Sequence, residues 1–171
     1  MTQKYEILPK DIEWHFIGHL QTNKVRSIIG RTSLIESVDS TRLLDLIDAE
    51  SLRAGVVTRV LLQVHVAAEE TKTGFSPDEL IQYFETRRFE NLRATHICGI
   101  MGMATNSDDT SRVRADFAAI RALFDRIHTI APDLRGFDAV SMGMSDDRDI
   151  AIECGSTLVR IGTDIFGPRS Y

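Results

Sequence analysis

The chain has 171 residues, 43% of them hydrophobic and 26% charged, which is ordinary usage for a single globular domain with its own core. Its net charge of −5 at pH 7 argues against nucleic-acid binding, and no apolar run approaches the roughly 18 residues that cross a bilayer. The N-terminus lacks the apolar stretch of a signal peptide, and the two cysteines lack metal-like spacing, so we expect a cytoplasmic protein with reduced thiols.

The first third of the chain alternates short apolar runs with helical patterns. Residues 12–18 are predicted as a strand, and residues 20–29 follow with apolar side chains at helical spacing. Residues 34–38 are predicted as a second strand. Asp39 or Ser40 can cap the helix that comes after it.

The middle of the chain repeats the same order. Residues 60–66 are rich in β-branched and apolar residues, as expected of a strand that is covered on both faces. The best helix start follows, since Ser76 can cap, Pro77 suits the first helical position and Glu79 can close a capping box. Residues 95–101 are predicted as the next strand.

The last third begins with a long amphipathic helix over residues 108–130. A strand over 139–142, a helix over 146–154 and a final strand over 158–161 complete the prediction. Repeated β-α units of this kind imply parallel strands joined by right-handed crossovers. No linker or compositional break divides residues 1–171, so we expect one α/β domain with six strands.

Six β-α units fit either an open doubly wound sheet or most of a (β/α)8 barrel. A doubly wound sheet would be expected to carry a glycine-rich loop after its first strand, and residues 17–20 do not form one. A barrel binds phosphate at the loops after its last two strands. Turns rich in Gly, Ser and Thr follow the last two strands here, so an incomplete TIM-type barrel is favoured, since a complete one takes roughly 250 residues.

These two turns, over residues 141–147 and 160–163, predict an anionic ligand. Each follows an apolar strand and precedes a helix start, so hydroxyl groups, backbone N–H groups and helix N-termini meet there. Arg160 adds a cation within the last strand. An unpaired buried guanidinium is costly, so Arg160 is expected to face a ligand or a carboxylate.

Five segments also carry a family resemblance: WHFIGHLQTNK at 14–24, SVD at 37–39, GIM at 99–101, SMGMSDD at 141–147 and VRIGTDIFG at 159–167. In this order and spacing they resemble the pyridoxal phosphate homeostasis protein family (YggS/PROSC-like). The resemblance implies a single-domain barrel similar to the N-terminal domain of alanine racemase. It also implies binding of pyridoxal 5′-phosphate (PLP), no established reaction, and a role in balancing vitamin B6 and amino-acid pools.

The resemblance assigns PLP-binding roles to His15, Ser141, Met142, Arg160, Gly162 and Thr163. Ser141, Gly162 and Thr163 would hold the phosphate through hydroxyl and backbone N–H donors. Arg160 would face the pyridine nitrogen, and His15, at the end of the first strand, would reach the cofactor region. A permanently cationic partner keeps that nitrogen unprotonated and weakens the ring as an electron sink, which suits a carrier.

The resemblance also implies a role for the loop after the fifth strand. Met142, Met144 and Ser145 would shape this loop around the phosphate. No catalytic residue is assigned. No metal site is predicted either, because His15 and His19 flank a strand end and lack the glutamate of a zinc protease motif.

Two family segments have no counterpart in the 171 residues. In the family, a lysine in a Val-Ser-Lys-x-x-Pro motif holds PLP covalently, and a Gly-Glu-Asn segment also lines the site. The lysines of this chain are Lys4, Lys10, Lys24 and Lys72, and none lies in a predicted strand. We therefore expect six of the eight β/α units, the first two being lost through a misassigned start codon or because the chain is an internal fragment.

PLP is the expected small-molecule partner. The resemblance implies a monomer for the full-length family, while open barrel edges would allow association here. No nucleic acid or membrane is expected as a partner. Two alternatives stay open, namely a racemase-like PLP enzyme and a barrel that binds another phosphate ester.

Overall fold

A single parallel sheet organises the computed structural model, which describes residues 2–9, 11–66 and 73–167. Its strands are β1 (His15–Phe16), β2 (Leu34–Val38), β3 (Thr58–Gln63), β4 (Thr95–Met101), β5 (Ala139–Met144) and β6 (Leu158–Arg160). Their spatial order is their sequence order, and each neighbouring pair is parallel. A doubly wound sheet reverses its order at a switch point, so this order confirms the barrel-type prediction.

The helices follow the strands as crossovers. They are α1 (Thr2–Ile7), α2 (Val25–Ile28), α3 (Thr41–Ala54), α4 (Pro77–Glu85), α5 (Thr110–Ile130), α6 (Arg148–Glu153) and α7 (Thr163–Phe166), with 3₁₀ turns at Thr22–Lys24 and Arg88–Asn91. The helix predicted over 20–29 is therefore wrong in extent, because a 3₁₀ turn occupies its first half. Among the described residues, no helix combines the length and apolar character that a membrane span needs.

Side-chain caps fix where the three longest helices begin. Ser40, rather than Asp39, accepts a hydrogen bond from the Leu43 N–H and caps α3. Ser76 and Glu79 form the predicted capping box of α4. Asp109 caps α5, so this helix starts two residues later than the sequence pattern indicated.

The two faces of the sheet pack differently. The outer face and the helices share one continuous apolar core, which includes the outward residues Ile35, Val60, Leu62, Ile100, Val140 and Met142. The inner face carries a second, smaller cluster of Leu34, Leu61, Cys98 and Met101. Because strand side chains alternate between faces, neighbouring residues such as Ser141 and Met142 point to opposite sides.

The sheet curls strongly around this inner face. Glu36 on β2 and Ser141 on β5 form a 2.6 Å hydrogen bond, although two strands lie between them. In a flat sheet, strands three places apart are separated by about 14 Å, beyond the reach of these side chains. The curvature therefore brings residues from opposite parts of the sheet to one site.

Candidate functional site

A cavity of about 450 Å³ opens at the carboxyl ends of β1, β2, β5 and β6. Its apolar wall consists of Ile17, Met144, Leu158, Val159 and Ile161, and its polar wall of His15, Glu36, Ser145, Asp146, Arg160, Gly162 and Thr163. Parallel strands present their carboxyl ends at one edge, which is where barrels bind their ligands. The cavity therefore joins one apolar wall to groups of both charges.

Two hydrogen bonds to the protein fix the position of the Arg160 guanidinium. Its Nη1 donates to Ser141 Oγ at 2.7 Å, and its Nη2 donates to the Gly102 carbonyl at 3.0 Å. Burial lowers the pKa of Arg160 from its ordinary value, and the carboxylates of Glu36 and Asp147 act in the opposite direction. A guanidinium stays charged in proteins, so Arg160 is a fixed cation with N–H groups left for a ligand.

Glu36 carries a negative charge, and Ser141 links its carboxylate to Arg160 by hydrogen bonds. Glu36 is buried, at 1% exposure, within β2, all of whose residues are buried. Its Oε2 accepts the Ser141 hydroxyl at 2.6 Å, and its Oε1 lies 2.9 Å from His15 Nδ1. Four residues on four strands or strand ends thus form one hydrogen-bonded network, running from His15 through Glu36 and Ser141 to Arg160.

Ser145, in the turn after β5, contacts the turn after β6. Its hydroxyl oxygen accepts long hydrogen bonds from the N–H groups of Gly162, at 3.4 Å, and Asp164, at 3.5 Å. Arg148 donates to the Ser145 carbonyl and also pairs with Asp164. Hydrogen bonds of this length are weak, so these N–H groups can turn to a better acceptor such as a phosphate oxygen.

Comparison with known proteins identifies the family of this chain. Residues 9–170 match the family model of the alanine racemase N-terminal domain. The chain is 41% identical to the pyridoxal phosphate homeostasis protein of Aquifex aeolicus, over 99% of this chain and 73% of that protein. The Haemophilus influenzae protein of the same name is 34% identical, over 99% of this chain and 70% of its own length.

The chain belongs to the pyridoxal phosphate homeostasis protein family. The resemblance predicted from its motifs is confirmed. PipY of Synechococcus elongatus PCC7942, solved with PLP bound, superposes with a TM-score of 0.86 at 31% identity, covering 97% of this chain and 75% of PipY. Alanine racemase of Clostridium difficile, at 15% identity and a TM-score of 0.66, shares the fold.

For this family member, the structure brings four of the six predicted ligand residues to the cavity. His15, Arg160, Gly162 and Thr163 all line it. His15 lies in the two-residue strand β1, Arg160 is the last residue of β6, and Gly162 and Thr163 come just after β6, Thr163 as the first residue of α7. Their roles towards a ligand remain predictions.

The other two predicted residues lie elsewhere. Ser141 is fully buried behind the cavity, and its hydroxyl is engaged by Arg160 and Glu36. Met142 faces the opposite side of β5 and packs in the core beneath the helices. A direct phosphate contact from the Ser141 hydroxyl or the Met142 side chain does not fit this placement, because strand alternation and the Glu36 network direct both away from the cavity.

Glu36 is the site residue that the sequence reasoning missed. The signal was present, because a glutamate inside an otherwise buried strand is costly unless it is paired. Ser145, predicted to shape the phosphate loop, lines the cavity itself.

The structure also locates two of the four lysines. Lys4 in α1 and Lys24 in a 3₁₀ turn are exposed, and neither lines the cavity. Lys10 and Lys72, with most of the Glu69–Gly74 loop, lie outside the described residues. Within residues 2–9, 11–66 and 73–167, therefore, no lysine reaches this site.

Proposed function

We propose that this chain binds PLP in the cavity beside Arg160, without a covalent bond, and that it acts in vitamin B6 homeostasis as a carrier rather than as an enzyme. Membership of the pyridoxal phosphate homeostasis family supports the ligand. The observation that carries the proposal is the cavity itself, where a fixed guanidinium lies next to a turn rich in backbone N–H groups.

The phosphate would occupy the turns after β5 and β6. Gly162 and Thr163 offer backbone N–H groups there, and the hydroxyl groups of Thr163 and Ser145 add two further donors. Ser145 would thus take the place that the family resemblance assigned to Ser141. Because Ser145 now shares its oxygen with two weakly bound N–H groups, a phosphate oxygen would improve the hydrogen bonding of the turn.

The pyridine ring would lie between the apolar wall and Arg160. Ile17 and Met144 offer apolar surface for the ring, and Arg160 has N–H groups to donate to the ring nitrogen. When bound, PLP supplies an aldehyde that condenses with amines and a ring that can accept electrons. A permanent cation at the ring nitrogen keeps it unprotonated and weakens this electron-accepting property, which favours carriage over turnover.

Titration of the 171-residue chain with PLP, followed by its visible spectrum, tests this proposal. We expect saturable binding that inorganic phosphate weakens by competition, and no adduct that survives denaturation after borohydride reduction. Thr163→Val, which keeps the side-chain shape and removes one hydroxyl group, should weaken PLP binding. An unsaturable titration, or a stable reduced adduct, would contradict the proposal.

An amino-acid assay tests the non-enzymatic part separately. Alanine racemase shares the fold at 15% identity, which by itself carries no activity over to this chain. Chain loaded with PLP should therefore leave L-alanine unchanged in a chiral assay. Formation of D-alanine above a protein-free PLP control would show that the chain is an enzyme.

The edges of the sheet support a further expectation about assembly. Among the described strands, β1 pairs only with β2, and β6 pairs only with β5. Unpaired edge strands offer N–H and C=O groups to another chain. We expect concentration-dependent self-association in light scattering, and a monomer at every concentration would argue against it.

A further inference from the structure

One carboxylate connects the two sides of the cavity. Glu36 is 1% exposed, and each of its oxygens has one partner, His15 on one side and Ser141 on the other. A buried charge with both oxygens engaged resists reorientation, because any movement breaks a charge-assisted hydrogen bond. The partners of Glu36 are therefore held in fixed positions.

The direction of the hydrogen bonds towards Arg160 follows from the chemistry of the groups. A guanidinium only donates, so Ser141 Oγ must accept from Arg160. The single proton of Ser141 is then free to be donated to Glu36 Oε2 at 2.6 Å. This direction of donation, from Arg160 to Ser141 and from Ser141 to Glu36, requires an oxygen on Glu36 that accepts. An ionised carboxylate provides it.

The same reasoning decides which ring nitrogen of His15 carries the proton. The ionised carboxylate accepts at Oε1 as well, so His15 Nδ1, 2.9 Å away, must be the donor. In neutral His15, Nε2 is then the unprotonated nitrogen. Within the described part of the chain Nε2 has no hydrogen bond, and the partly exposed ring lines the cavity.

We propose that Glu36 is the positioning residue of this cavity. It holds His15 as the Nδ1–H tautomer, so that Nε2 offers a hydrogen-bond acceptor to the ligand, and it anchors Arg160 as a donor through Ser141. The cavity thus selects a ligand that has a hydroxyl or N–H group beside His15 as well as an anionic group for the turns. The prediction that Glu36 affects PLP binding rests on the proposed function. The predicted tautomer of His15 is independent of that function.

Long-range ¹H–¹⁵N NMR of the ligand-free chain at pH 8.5 tests the tautomer directly. The His15 ring signals are identified by their loss in His15→Gln. We expect the Nδ1–H tautomer in the wild-type chain and in Glu85→Gln, a matched control at an exposed position of α4. In Glu36→Gln the signals should shift towards the Nε2–H form, which neutral histidine ordinarily prefers.

Two outcomes of this experiment would overturn the positioning role. One is an Nε2–H tautomer of His15 in the wild-type chain, an observation that does not depend on whether Glu36→Gln folds. The other is an unchanged tautomer in a folded Glu36→Gln chain, whose folding the rest of the spectrum reports.

PLP titration of the same variants tests the consequence for the ligand. Glu36→Gln should weaken PLP binding by about tenfold, the equivalent of one lost charge-assisted interaction, while Glu85→Gln should match the wild type. Equal affinity of Glu36→Gln and wild type would overturn the ligand part of the proposal. If the wild type does not bind PLP, the proposed function fails, and the tautomer measurement still decides the role of Glu36.

Discussion

Replacing Ser141 with alanine should destabilise the chain far more than loss of one hydroxyl group usually does. Ser141 is fully buried, and its oxygen joins Arg160 Nη1 at 2.7 Å to Glu36 Oε2 at 2.6 Å. Each hydrogen bond to a charged group contributes about 1.5 kcal/mol at the low end of the usual range, so the free energy of unfolding should fall by about 3 kcal/mol. For a domain of this size the melting temperature would drop by about 6–12 °C.

Ser51→Ala is the matched control for this measurement. Ser51 is equally buried, but its hydroxyl bonds only to the neutral Thr58 hydroxyl, at 2.6 Å. Its loss should lower the free energy of unfolding by about 1 kcal/mol. Urea unfolding followed by circular dichroism gives both values under identical conditions. Equal losses in the two variants would refute the view that Ser141 bridges two charges.

The remaining predictions concern the turns and the pH dependence. Gly143→Ala should lower the free energy of unfolding by about 2–4 kcal/mol, because Gly143 has φ +94° and an added Cβ would lie 2.5 Å from the Ala151 Cβ. In Gly162→Ala an added Cβ would meet nothing within 4 Å, so the free energy of unfolding should be nearly unchanged; a loss as large as that of Gly143→Ala would count against this. Hydrogen bonds from the hydroxyl and N–H of Ser111 hold the pKa of Asp109 below its ordinary value. Its contribution to stability is therefore complete above about pH 4 and is lost as the pH falls through the lower folded pKa. Asp109→Asn, which can still cap α5, should reduce the slope of stability against pH in acid, and an unchanged slope would disprove it.

Sequence patterns located the central strands well. Residues 34–38 and 95–101 were predicted as strands, and β2 and β4 have these same bounds. Both strands lie in the middle of the sheet and are largely buried, which fits their mainly apolar sequences. The strand predicted over 12–18 is shorter in the structure, since only His15 and Phe16 pair with β2. The length of a strand depends on its pairing with a neighbouring strand as well as on its own sequence.

The candidate site was predictable only in part. His15 and Arg160 could be expected at one edge, since parallel strands end on the same side of a sheet. The contact between Glu36 and Ser141 joins residues 105 positions apart and depends on the curvature of the sheet, which the periodicity of a sequence does not record. The outward position of Met142 could have been inferred, because it directly follows the inward Ser141 on β5.

Parallel PLP titrations of the wild-type chain and of Arg160→Met test the central claim most directly. Methionine keeps an unbranched apolar stem and removes the cation that the cavity presents. Saturable binding to the wild-type chain, weakened at least about tenfold in a folded Arg160→Met chain, is the expected result. Equal affinity of the two chains for PLP would contradict the claim that PLP binds beside Arg160.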